Sequence, residues 1–393
     1  MQPEIKEIAC PNCSSRQIKK HGTKKKKLQT LQRYFCKSCK KTFTLQQSNK
    51  TYPVSLILNT ISYYNLGYSQ TELLSLLSKR FKAKPSQKTI SNWLNEFKGI
   101  CTFANLRSKA IKLHKPSEIV YTQALNHTQP YTFKYHKAKL YLLFHDIKYN
   151  NQFHNISQFY EPLKNYLEKI STKEYPHHIF TYDKINPSGP DAEIDNKKFN
   201  ECQLNNQINK NIQKRASQIK FNHLEIKKVQ KENLACKLAK LALNLALTNK
   251  DRHQAIQDFF LINDSTTIAT EVPVYFTNWD TGYFRNQNGF IFPLNHYTTP
   301  ITGHIDILQI RNGLIFILDY KPDAKSVNPI EQLTIYALAL SRKLNLPLYY
   351  FKCAWFDEEN YFEFFPLHVV YKLKRKKWTD KKQRKSLPMP KNF

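Results

Sequence analysis

The chain has 393 residues, 41% of them hydrophobic, with a formal net charge of +31, enough length to bury a substantial core in two or three domains. No apolar run approaches the roughly 18 residues that span a bilayer, and the opening M-Q-P-E-I-K-E-I has no signal-peptide core, so a cytoplasmic protein with no membrane partner and reduced or metal-bound cysteines is expected. The charge is uneven: residues 251–371 carry more acidic than basic side chains while everything attached to them is strongly basic, which suits appendages that hold a polyanion.

Residues 1–47 contain Cys10-Pro-Asn-Cys13 and Cys36-Lys-Ser-Cys39. Two C-x-x-C knuckles closing on one ion meet the tetrahedral demand of Zn²⁺ and stabilise a segment too short for a core of its own. The basic residues between them, among them Lys24, Lys25, Lys26 and Arg33, suit phosphate contact. This segment resembles the zinc ribbon at the front of many insertion-sequence transposases.

Residues 48–100 read as three short helices. The first follows Pro53 and ends near Gly67. Ser69-Gln-Thr-Glu72 is a capping box that starts the second, and Ser86 caps a third with Ile90, Trp93, Leu94 and Phe97 inward. The pattern resembles the helix-turn-helix of transposases and resolvases. By that resemblance the third helix would enter the major groove of DNA, with Gln87, Lys88, Ser91, Asn92 and Asn95 facing bases and phosphates.

Residues 101–230 read as a helical and polar connecting region, with helical patches at 104–113 and 159–170, and carry no assignable chemistry. Residues 231–371 begin with helices over 235–247 and after Asp251. Strands are expected at 268–276, 301–310 and 314–320, a helix at 329–343, and strands at 348–355 and 361–370. Asn312-Gly313 supplies the turn of a hairpin whose second strand is buried. Asp306 lies in its first strand, while Asp319 and Lys321 close the second on one side of it. Two carboxylates and an ammonium at the end of a buried strand are costly unless a metal or substrate uses them. Gln332 and Tyr336 stand at i and i+4 on the next helix.

The order G-x-x-D from Gly303 to Asp306, D-x-K from Asp319 to Lys321, and Q-x-x-x-Y from Gln332 to Tyr336 resembles the RecB-like branch of the PD-(D/E)XK nuclease superfamily, with His253 and Glu271 at its upstream positions. The resemblance implies a metal-dependent DNA nuclease. Its fold class would be α/β: a restriction-endonuclease-like αβββαβ core with a mixed sheet, beside the zinc ribbon and a small helical helix-turn-helix domain. Asp306 and Asp319 would hold Mg²⁺ or Mn²⁺, His253 and the carbonyl of Tyr320 would add ligands, and the histidine would favour Mn²⁺. Lys321 would orient the attacking water or take its proton, with its pKa lowered by the cation. Gln332 and Tyr336 would position the scissile strand. Glu271 is either a ligand or a satisfied strand-end carboxylate.

Some RecB-like relatives hold an iron–sulfur cluster, but one cysteine after Lys321 is too few, so Cys101, Cys202, Cys236 and Cys353 read as buried thiols. Residues 372–393 form a basic tail. The expected partner is DNA, with homodimerisation and mobile-element association left open. The alternatives are a non-catalytic DNA-binding regulator on an inactive nuclease fold and a recombination enzyme that also joins ends.

Overall fold

The computed structural model describes residues 8–26, 29–44, 51–125, 131–145, 157–169, 229–230, 233–291 and 300–371. Strands β1 (Ile18–Lys26), β2 (Gln29–Cys36) and β3 (Thr42–Thr44) form a small antiparallel sheet. Ile8, Ile18 and Tyr34 pack with Cys10 and Cys36 beneath it. So small a cluster buries too little surface to hold a fold unaided.

The three expected helices follow as α1 (Val54–Asn65), α2 (Gln70–Phe81) and α3 (Gln87–Phe97). Ser69 and Glu72 close a reciprocal capping box, and the Ser86 side chain accepts the Thr89 N–H. Gly67, at φ +116°, lets the chain leave α1.

The described part of the connecting region is built into the main sheet. It supplies α4 (Arg107–Leu113), β4 (Val120–Leu125), β5 (Tyr131–His136), α5 (Lys137–His145) and α6 (Ser157–Lys169). Then come β6 (Val229–Gln230), α7 (Leu234–Ala242), α8 (Arg252–Asn263), β7 (Thr267–Phe276), α9 (Asn278–Asn288), β8 (Ile301–Arg311) and β9 (Leu314–Tyr320). The last are α10 (Ile330–Leu344), β10 (Phe351–Phe356), β11 (Tyr361–Phe364) and α11 (Leu367–Val370).

Seven strands and the two-residue β6 form one mixed sheet in the order β4-β5-β7-β8-β9-β10-β11-β6. β9 and β10 are parallel and the other pairs antiparallel. The turn between β8 and β9 forms as expected, with Asn312 at φ 52° and Gly313 at φ 73°. Because strand side chains alternate, Ile315 and Ile317 of β9 join the core containing α5, α6 and α10. Phe316 and Leu318 join the opposite one, with α1, α3, α7 and α8. A strand buried on both faces explains the unbroken L-I-F-I-L run. Helices on both sides make the body a mixed α/β structure.

Some expectations need correction. The helix over 235–247 stops at Ala242, and the strand over 361–370 ends at Phe364, where Pro366 opens α11. The strand expected from 348 begins with a 3-10 turn at Leu348–Tyr350. Asp251 stands at the N-cap position of α8, but its carboxylate accepts the Thr248 N–H at 2.9 Å and closes a box around the preceding turn instead of bonding α8. The basic tail and Cys202 lie outside the described residues.

Candidate functional site

At the ribbon, Cys10 Sγ lies 3.5 Å from Cys39 Sγ and Cys13 Sγ 3.6 Å from Cys36 Sγ. All four sulfurs lie within 4.8 Å of one another, so they could hold a metal ion such as zinc. Ser14 and Lys40, each following the second cysteine of a knuckle, sit at φ 56° and 57°, which turns both pairs inward. Backbone N–H donation at Cys39 leads the pull on the Cys36 thiol, drawing it down to about 6. The Ser15 N–H acts the same way on Cys13, but burial and hydrogen bonds with Cys39, Cys36 and Cys10 prevail and push it up to about 12. Four thiols crowded so that one thiolate suppresses the next suit a divalent cation. Lys24 and Lys25 are exposed on β1, and half-buried Arg33 donates to Thr42 Oγ1 at 3.4 Å. Lys26 closes β1, and its side chain lies outside the described set.

On α3, Gln87, Lys88, Asn92 and Asn95 are exposed. Ser91 departs from the expected outward face: it is half-buried and its hydroxyl donates to Gln70 Oε1 at 3.1 Å.

The third constellation lies across β7, β8 and β9. Ile307 pairs with Leu318, so the register sets Asp306 beside Asp319 in adjacent strands, and their carboxyls share a hydrogen bond. Beyond Ile307 and Leu318 the Tyr320 N–H turns to Asp306 Oδ2 at 3.3 Å. Lys321 Nζ stands 2.9 Å from Asp319 Oδ2, an ion pair sealed from solvent on the carboxylate side. On α8, His253 and Gln257 are one turn apart. His253 Nδ1 lies 3.5 Å from Asp306 Oδ2, while Gln257 Nε2 donates to Glu271 Oε1 at 2.5 Å. Tyr320 turns its ring edge-on to His253, centroids 5.1 Å apart. The Tyr320 hydroxyl accepts from Arg252 at 3.0 Å and donates to Glu358 at 3.2 Å.

Glu271 adopts φ 52° in mid-strand, a left-handed conformation that costs a non-glycine residue of order 1–3 kcal/mol. It lies between Thr270 and Val272, which pair with Ile307 and Ile305, so the register sets it opposite Asp306. Burial, then Asp306, pushes its carboxyl up to about 8. Burial and the Asp306 charge likewise raise Asp319 well above the usual carboxylate range. Burial also opposes ionisation of Asp306, but hydrogen bonds with His253 and Asp319 hold its carboxyl below that range. For Lys321 the expected lowering is reversed: burial favours it, but Asp319 and Asp306 outweigh burial and raise the ammonium above its ordinary value. The expected shift required a neighbouring cation, and in the residues alone it is carboxylates that face the ammonium.

Gln332 and Tyr336 bond to each other, Nε2 to hydroxyl, at 3.0 Å, and Tyr336 is buried. The carboxylates and His253 do not close into a cage: among the described residues, the four cysteines are the one group of three or more His, Cys, Asp or Glu drawn within 4.8 Å. Gln257, Arg252 and Glu358 were not singled out from the sequence. The i, i+4 spacing from His253 could have pointed to Gln257, whereas the other two are joined only by the fold.

No family model, no curated protein and no solved structure matches the chain. Among the described residues no helix is long and apolar enough to cross a membrane.

Proposed function

We propose that the chain is a metal-dependent nuclease that hydrolyses DNA phosphodiester bonds, brought to its substrate by the ribbon and the three-helix unit. The observation that carries this reading is the meeting of Glu271, Asp306 and Asp319, from three neighbouring strands in the middle of the sheet, with His253 and Lys321. The Asp306 and Asp319 carboxyls are hard oxygen donors that fit Mg²⁺ or Mn²⁺, with His253 inclining the set towards Mn²⁺. Bound there, such an ion supplies charge neutralisation for the phosphate oxygens.

The rest is the work of the chain's own side chains. Asp306 and Asp319 provide the oxygens, and Tyr320 and Gln257 orient His253 and Glu271. Lys321, 2.9 Å from Asp319, is placed to direct an attacking water or support the developing phosphate charge. Zn²⁺ at the four cysteines would be structural, since four protein ligands leave no open position.

The helices α1 to α3 and the ribbon present exposed lysines and amides suited to phosphates and base edges. The test is cleavage of closed-circular and linear DNA with Mg²⁺ or Mn²⁺, compared between wild type and Asp319→Ala. Tight DNA binding without cleavage would favour a regulator on an inactive fold, and joined products would indicate a recombination enzyme.

A further inference from the structure

The helix that would read DNA and the helix that carries His253 share one core. Ile57 and Ile61 of α1, Trp93 of α3, Ile256 and Phe260 of α8 and Leu318 of β9 belong to one buried cluster. Where α1 crosses α8 a buried polar clasp locks the contact. Asn65 Nδ2 donates to Asn263 Oδ1 at 2.8 Å, and Asn263 Nδ2 donates to Ser62 Oγ at 2.9 Å. Beyond α3, Thr102 Oγ1 accepts the Ser265 N–H at 3.0 Å, tying the exit of the three-helix unit to the loop after α8. Arg107 completes the junction. Its guanidinium lies 3.8 Å over the Tyr64 ring and donates to the Tyr64, Gly67 and Tyr68 carbonyls at the end of α1.

Domains that move independently are joined by exposed linkers that few contacts cross. Here a swing of α1 against α8 would open an apolar core and strand buried amides, both costly.

We propose that the three-helix unit and the His253 helix act as a rigid ruler, so that the strand is cut at a constant offset from the sequence held by α3. The inference rests on the nuclease reading and sharpens its substrate: a duplex long enough to lie across α3 and the Asp306–Asp319 pair together, cut internally rather than digested from an end. The surface supports this, because Lys88, Asn92 and Asn95 stay exposed while the opposite side of α3 is built into the shared core.

The test uses the full chain on a pool of long duplexes with Mn²⁺. Cut positions are mapped, and the protected sequence is footprinted with the Asp319→Asn variant. The expected result is cuts within a few base pairs of one offset from the footprint, on circular as well as linear DNA. Cuts scattered about a defined footprint, or digestion from ends alone, would overturn the ruler and leave the nuclease reading intact. No cutting at all would count against the nuclease reading itself. The rigid junction is then decided by hydrogen exchange, where amides of 57–61 and 256–260 are expected to open together. Opening of α1 well before α8 would overturn the proposal whatever the cutting shows.

Discussion

Gly303 and Tyr336 are fitted to each other: a Cβ at position 303 would stand 2.2 Å from Tyr336 Cε1 and 2.5 Å from its hydroxyl. The contact falls on the body of a buried ring, not on the end of a flexible chain, so the ring cannot step aside without repacking α10 against β8. Gly303→Ala is therefore expected to destabilise the protein by about 1–3 kcal/mol. It should also reduce cleavage, because the displaced ring is bonded to Gln332 and packs on Gly303, three residues along β8 from Asp306. Denaturant unfolding checks the first effect, and an unchanged midpoint would contradict it.

Lys139 is fully buried, and its ammonium donates to the carbonyls of Leu261, Asp264 and Thr267, capping the end of α8. Lys139→Met leaves the three carbonyls without their donor and is expected to cost about 1–3 kcal/mol, read by chemical denaturation.

The same side chain carries a pH signature. Burial draws its ammonium down to about 7, with Asp264 pulling the other way. Since the folded value lies below the unfolded one, the native protein binds fewer protons than the unfolded chain above about pH 7. Its contribution to stability therefore rises with pH from there towards the ordinary lysine range and is flat below it. The difference in stability between wild type and Lys139→Met should grow by up to about 1.4 kcal/mol per pH unit over that window. A difference that stays level would contradict the shift.

The ribbon should depend on its ion. One Zn²⁺ per chain is expected by elemental analysis, and chelation should expose Tyr34, now 1% exposed, to solvent and quenchers. Cys36→Ser should lose the ion and unfold the ribbon while the unfolding free energy of the main body stays within about 0.5 kcal/mol of wild type. An unchanged ribbon after complete metal removal would contradict the assignment.

On α3, Lys88→Ala is expected to weaken DNA binding evenly across sequences and reduce the log–log salt slope by about 1. Asn92→Ala should instead cost about 1–3 kcal/mol on a preferred sequence and little elsewhere. Ser91→Ala should do neither, because its hydroxyl is already bonded to Gln70. Equilibrium binding at several salt concentrations separates the three.

Much of this was legible because local chemistry dictates it. The Ser69–Glu72 box, the Asn312-Gly313 turn and the C-x-x-C knuckles each settle their backbone within a few residues, and the doubly buried β9 shows itself as an apolar run. What escaped depends on distant partners. Tyr131–His136 became a strand through pairing with β7, more than a hundred residues on. Lys139 looks like any surface lysine until α8 ends against it. α9 carries a box from Thr277 to Asp280 and a stop at Gly289, but its apolar spacing is too sparse to mark a helix. Within the site, Asp306, Asp319 and Lys321 meet because strand pairing and two-residue alternation bring them together. Glu271 reaches its place through a left-handed residue that no strand pattern announces.

On the proposed function, Asp306, Asp319 and Lys321 serve phosphodiester hydrolysis with a divalent cation. Supercoiled plasmid incubated with the full chain and Mn²⁺ or Mg²⁺ tests it most directly, with Asp319→Ala in parallel and binding of Mn²⁺ by each followed by calorimetry. Metal-dependent cutting by wild type, a loss of at least about 10²-fold in Asp319→Ala, and weaker Mn²⁺ binding by the variant are expected. Equal cutting by the two proteins, or no cutting by wild type with either metal, would contradict it.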